Sequence, residues 1–192
     1  MLTEDQKKEF VSLRVEIIDL NIATYFFVEK INRWAYIFKT TSRKFLLEEL
    51  TALRYLENAI ILHLTNLDDD SSNFSFREVL KQLNKKNSDQ AGLRIITDGL
   101  KKYRQSINNL KVQHRNKRIA HLNSTNELNF DEFLNFDIEL RPLITQANDI
   151  GDKIWGQRIK ATFKLGSLEG IIDFRKQIET LTIDTSRNQS FS

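Results

Sequence analysis

The first 91 residues contain neither glycine nor proline, so nothing in almost half of the chain interrupts an α-helix cheaply. Long helices are the predicted outcome. Phe10, Leu13, Ile17, Leu20, Thr24, Phe27, Ile31, Trp34 and Phe38 recur at alternating steps of three and four. That spacing lays them along one helical stripe with a single polar interruption at Thr24. Thr3 and Gln6 have capping-box spacing at its start. A second stripe runs through Leu46, Leu50, Leu53, Ile60, Leu64 and Leu67, with Thr40, Thr41 and Ser42 as turn and cap between the two. Two apolar stripes joined by so short a turn should pack antiparallel.

Three aspartates and two serines from Asp68 to Asn73 end the second helix, and Ser75 is placed to cap a short one reaching about Lys86. Ser88 or Asp89 starts a further long helix to about Leu122, with the stripe Leu93, Ile96, Leu100, Tyr103, Ile107 and Leu110. Continued, this stripe reaches His114 and His121. A polar loop follows over 123–129, then Asp131 opens an amphipathic segment through Phe133, Phe136 and Leu140, which Pro142 kinks or restarts. Ser167 is the expected cap of a last helix through Leu168, Ile171, Ile172 and Ile178. No strand signal of useful length is present. The predicted fold is all-α, a helical bundle of about five to six helices, forming a single domain over 1–183 with a polar, disordered tail over 184–192.

The charge is distributed unevenly. The chain is only +3 overall, yet from Gly99 to Asn126 it carries seven basic residues and no Asp or Glu; without those seven it would be net acidic. The next stretch, Glu127 to Asp152, holds seven carboxylates against Arg141. A basic segment attracts polyanions, although most charge runs are solvated helix faces. Within it, His114, Arg115, Lys117, Arg118 and His121 put two imidazoles and two guanidiniums into little more than two helical turns. That set suits phosphodiester chemistry: near neutral pH a histidine takes or gives a proton, while arginine offers forked donors to phosphate oxygens.

Other chemistries are disfavoured. The absence of cysteine removes disulfides, thiolate metal sites and cysteine nucleophiles, and fits a reducing cytoplasm. His114 and His121 lie ~10 Å apart along a helix axis and cannot share one metal ion, so neither metal nor cofactor is expected. There is no phosphate-binding glycine loop, nucleophile elbow or dinucleotide fingerprint. The polar N-terminus and the lack of an apolar run near ~20 residues argue against secretion and membrane insertion.

Arg115-Asn116, four further residues and then His121 resemble the motif of the HEPN superfamily: an Arg, a polar residue, and a His after four to six positions. The resemblance is closer to one branch, the abortive-infection type U (AbiU-like) group, in which an Arg-Asn-Lys-like string followed by Ala-His ends a long helix. Leu64 to Asp68 and then Ser75 to Leu80 resemble that branch's helix end, aspartate loop and short helix; Asn123 stands where an acidic residue is common. The likeness in order and spacing runs from about Leu13 to Ile178. It implies a HEPN-like α-helical bundle acting as a metal-independent endoribonuclease in phage defence, toxin-like and held in check by an antitoxin or regulatory protein. Two chains would pair as a homodimer with both motifs in one cleft. By that resemblance His121 transfers protons at the ribose 2′-OH, Arg115 holds the scissile phosphate and Asn116 orients the pair.

Six positions separate Arg115 from His121, so on an ideal helix they point about 120° apart. A reaching arginine, a loosened helix or the second chain would have to complete the site. Arg118, three residues before His121 and on its face, competes for the phosphate; the family pattern favours Arg115. Lys111, His114, Lys117 and Arg118 are assigned to RNA binding. The alternative is a non-catalytic helical module that binds a nucleotide, RNA or a protein partner.

Overall fold

A computed structural model describes residues 3–72, 74–85, 90–114, 133–163 and 172–180. The fold is all-α: five principal helices, α2 (Val11–Thr40), α3 (Arg43–Asn66), α4 (Phe76–Lys85), α5 (Gln90–Leu110) and α6 (Arg141–Trp155), are flanked by two short ones, α1 (Glu4–Glu9) and α7 (Phe174–Thr180). The capping box expected at Thr3 is formed: Thr3 Oγ1 accepts from the Gln6 amide and Gln6 Oε1 from the Thr3 amide. The chain then breaks at Phe10, with φ −105° and ψ 24°, which separates α1 from the 30-residue α2. Stripe analysis does not register such a break, because Phe10 itself stays buried and in phase.

Ser42 caps α3 by accepting from the Phe45 amide. The α2–α3 pair is antiparallel, as the stripes required: Lys30 meets Glu49 at 2.7 Å near the turn, and Glu16 meets His63 at 3.0 Å far from it. Leu13, Ile17, Leu20 and Phe27 pack with Leu53, Ile60 and Leu64 in the core. Thr24 is buried among them without an unpaired hydroxyl, since its Oγ1 donates to the Leu20 carbonyl at 2.7 Å. The turn end of the hairpin departs from the expected burial. Of the predicted stripes, Phe38 faces solvent and Trp34, Leu46 and Leu50 are only half-buried, and Tyr36, Phe45 and Leu47 beside them are exposed as well. The covering contacts of α5 and α6, at Leu64, Ile17 and Asn21, lie toward the other end.

Ser75 caps α4 as expected, accepting from the Glu78 amide. On α5 the stripe Leu93, Ile96, Tyr103, Ile107 and Leu110 is buried. Tyr103 crosses the core to donate to the Leu64 carbonyl at 2.7 Å and meets Phe76 edge-on. A π-helical turn over Phe136–Leu140, capped by Asn135, precedes α6, and Pro142 sits in the first turn of α6, where its missing N–H costs nothing. Pro142 therefore restarts the helix rather than kinking it.

The α6 helix crosses α2 closely. A Cβ at Gly151 would lie 3.3 Å from the Ile17 side chain, so only glycine allows this approach without a shift. One turn along, Asn21 and Asn148 exchange side-chain amide hydrogen bonds of 2.8 and 3.1 Å inside the core.

After α6 the structure corrects the sequence expectation. Thr162–Phe163 pairs antiparallel with Ile172–Asp173, so Ile172 belongs to a two-residue strand rather than to the last helix. That helix starts at Phe174 and is capped by Asp173, which accepts from the Lys176 amide. Threonine, phenylalanine and isoleucine are residue types that favour such a ladder. The expected cap Ser167 and the 184–192 tail lie outside the described residues.

Candidate nucleic-acid interface

The end of α5 is where the sequence places its chemistry. Leu110 is the last α-helical residue, and 111–114 continue as a π-helical turn. Widened turns of this kind are rare and often mark functional positions. The expected helix to Leu122 therefore changes its winding immediately before Arg115. Arg115, Asn116, Lys117, Arg118 and His121 lie outside the described residues, so the geometry concerns the ground that leads to them.

Lys111 is turned inward. Its Nζ lies 2.6 Å from Asp68 Oδ2 and 3.0 Å from the Asp68 carbonyl oxygen, and Asp68 is 1% exposed. Its charge is thus committed to the loop after α3 rather than presented to a ligand. Other cations of the basic segment also have acidic partners: Arg104 lies 3.7 Å from Asp70, which also pairs with Arg77, and Lys101 lies 3.8 Å from Asp98. The latter two contacts are open to solvent and are screened by salt. Beside Asp68, burial and the Asp68 and Glu16 carboxylates push the Tyr103 hydroxyl well above its usual range, so it stays protonated as a donor.

Glu57 is a second buried carboxylate that the sequence did not single out. It is fully buried on α3, accepts the Leu134 amide at 2.6 Å and pairs with Arg54 at 2.9 Å. Burial pushes its carboxyl up, opposed by the Leu134 amide and by Arg54. Asp68 and Glu57 thereby hold the chain just before and just after the undescribed stretch 115–132. Only the unusual placement of a glutamate within an otherwise core-facing pattern could have revealed it, a weak signal on a helix rich in charges.

His114 lines a cleft of about 280 Å³ between the end of α5, the turn at Glu139 and the start of α6. Ser106, Asn109 and Gln146 supply further polar walls. Among the described residues, His114 Nδ1 and Gln146 Oε1 are buried atoms without a hydrogen-bond partner. Burial lowers the His114 pKa, with Glu139 opposing, so the ring is neutral near pH 7 and can donate or accept at that nitrogen according to tautomer. A cleft with an unsatisfied imidazole nitrogen and an unsatisfied amide oxygen suits a polar, hydrogen-bonding guest.

Among the described residues no group of three or more His, Asp or Glu could hold a metal ion, and no helix is long and apolar enough to cross a membrane. Comparison of the chain with protein-family models, with curated proteins and with solved structures finds no match. The protein is thus defined by its architecture, an all-α bundle whose described polar cleft is lined by His114, the residue that precedes the Arg115–His121 string in sequence.

Proposed function

We propose that this protein is a metal-independent endoribonuclease of the HEPN type, acting in the cytoplasm in phage defence. The observation that carries the reading is the Arg115-Asn116-(four residues)-His121 string, entered from a π-wound turn whose His114 opens on a polar cleft. His121 takes the proton of a ribose 2′-OH as that oxygen attacks phosphorus. The P–O5′ bond breaks and the 5′ oxygen leaves with a proton taken from water, giving a 2′,3′-cyclic phosphate and a 5′-OH. Arg115 offsets the charge gathered on the phosphoryl oxygens, and Asn116 orients the pair. Two chains related by a twofold axis bring both motifs to one cleft, which answers the angular separation of Arg115 and His121. His114, Lys117 and Arg118 contact the RNA in this reading. Lys111, bonded to Asp68, contributes by fixing the start of the motif segment.

The test is purified protein incubated with total RNA in EDTA, beside His121→Ala and Arg115→Ala. The wild type is expected to cut, leaving cyclic phosphate ends, and His121→Ala to lose roughly a hundredfold or more in rate while keeping its melting temperature. Uncut RNA with the wild-type dimer would leave the non-catalytic binding module as the better account. A monomer at micromolar concentration by light scattering would remove the composite site.

A further inference from the structure

At the far end of α6 from the His114 cleft lies a larger groove of about 630 Å³. Pro142 lines the cleft and Trp155 the groove; thirteen residues of helix place them ~20 Å apart. Lys7, Lys8, Arg14, Arg158 and Lys160 line the groove, and none of the described residues lining it is acidic. Two of these cations have acidic partners, Lys8 with Asp5 at 3.1 Å and Arg158 with Glu179 at 3.0 Å. Arg14 and Lys160 are exposed and form no ion pair with any of the described residues. None of these positions belongs to the basic segment from Gly99 to Asn126, so the groove is a separate concentration of positive charge, assembled from α1, the start of α2 and the chain after α6.

We infer that this groove is a second nucleic-acid contact, one that holds the phosphate backbone of an RNA strand without reading its bases. Charge complementarity selects the occupant: five cations around a concave surface suit successive phosphates. The floor excludes base recognition by stacking. Trp155 is only 7% exposed, and Lys7 Nζ sits over its ring at 5.9 Å, so no aromatic face is free for a base. Contact with phosphates alone positions a strand and gives no sequence preference. The inference stands apart from cleavage, since it asks only for binding.

The test uses a fluorescein-labelled 2′-O-methyl oligonucleotide of roughly 20 residues, which has the phosphates but no 2′-OH to attack, titrated with the full chain across a salt series. For Arg14→Ala/Lys160→Ala, loss of two single-strand phosphate contacts should lower the slope of log affinity against log salt by about 1.4 and weaken binding severalfold at low salt. Unchanged slope and affinity would overturn the inference. So would tight binding to phosphatidylserine vesicles with no binding to the oligonucleotide. Should the double variant not fold, lysine acetylation of the wild type decides: the oligonucleotide should protect Lys8 and Lys160, and equal labelling with and without it counts as refutation.

Discussion

Lys111 Nζ lies 2.6 Å from Asp68 Oδ2, across 43 positions of sequence, and the carboxylate it meets is almost wholly removed from solvent. The pair ties the turn that follows α5 to the loop after α3, four residues before the Arg115–His121 string begins. A buried carboxylate that loses its cation is costly, because the charge remains without compensation.

Replacing Lys111 with methionine should therefore cost about 3 kcal/mol and lower the melting temperature by roughly ten degrees. A lysine that served only as a phosphate contact would leave melting unchanged and reduce the salt slope of RNA binding instead. Thermal melting and RNA titration of Lys111→Met separate these outcomes; an unaltered melting temperature would show that the Asp68 contact contributes nothing.

The pH dependence at Glu57 has a definite sign. Its carboxyl is raised in the folded state, chiefly by burial, so its contribution to stability is full below the ordinary glutamate pKa and is lost as pH rises through the raised value. Glu57→Gln keeps an oxygen for the Leu134 amide and removes the ionisation. As pH rises above the ordinary glutamate value of 4.5, the wild type should lose stability relative to this variant. Parallel denaturation midpoints across that range would contradict the assignment.

His114 behaves in the opposite direction. Burial depresses its pKa, so the stability it contributes is present above the ordinary histidine value and is lost as pH falls through the depressed one. Its ring resonances in an NMR titration should move with a midpoint below 6.5, the usual value. A midpoint above it would mean that Glu139 outweighs burial and that the ring is charged at neutral pH.

At the α2–α6 crossing, Gly151→Val should destabilise by about 2 kcal/mol through crowding against Ile17. Ile17→Ala destabilises on its own by about 3 kcal/mol but opens the space that valine needs. A double-mutant cycle should give a favourable coupling of about 1 kcal/mol. Additive losses would place the crowding elsewhere.

What the sequence made legible was local. The caps at Thr3, Ser42 and Ser75 depend on a hydroxyl and an amide three residues away, and each forms as the spacing implies. The antiparallel first helices follow from two stripes and a short turn. Long-range pairing was not legible: the segment from Gly99 to Asn126 reads as bare positive charge, whereas Asp68 and Asp70, far from it in sequence, face Lys111 and Arg104. Four strand residues are too few to show a period of two, so the Thr162–Asp173 pairing went unforeseen. Of the candidate site, only Lys111 and His114 fall among the described residues, and the first faces inward.

The Asn21–Asn148 pair acts as a ruler. An apolar seam between two helices can shift by a turn, about 5.4 Å, and still bury its side chains, but two facing amides satisfy one another at a single offset. Because α6 carries the His114 cleft at its start and the cationic groove at its end, locking α6 against α2 locks the interval between them. A strand lying across both would meet a fixed step length, set by one helix and held by two amides.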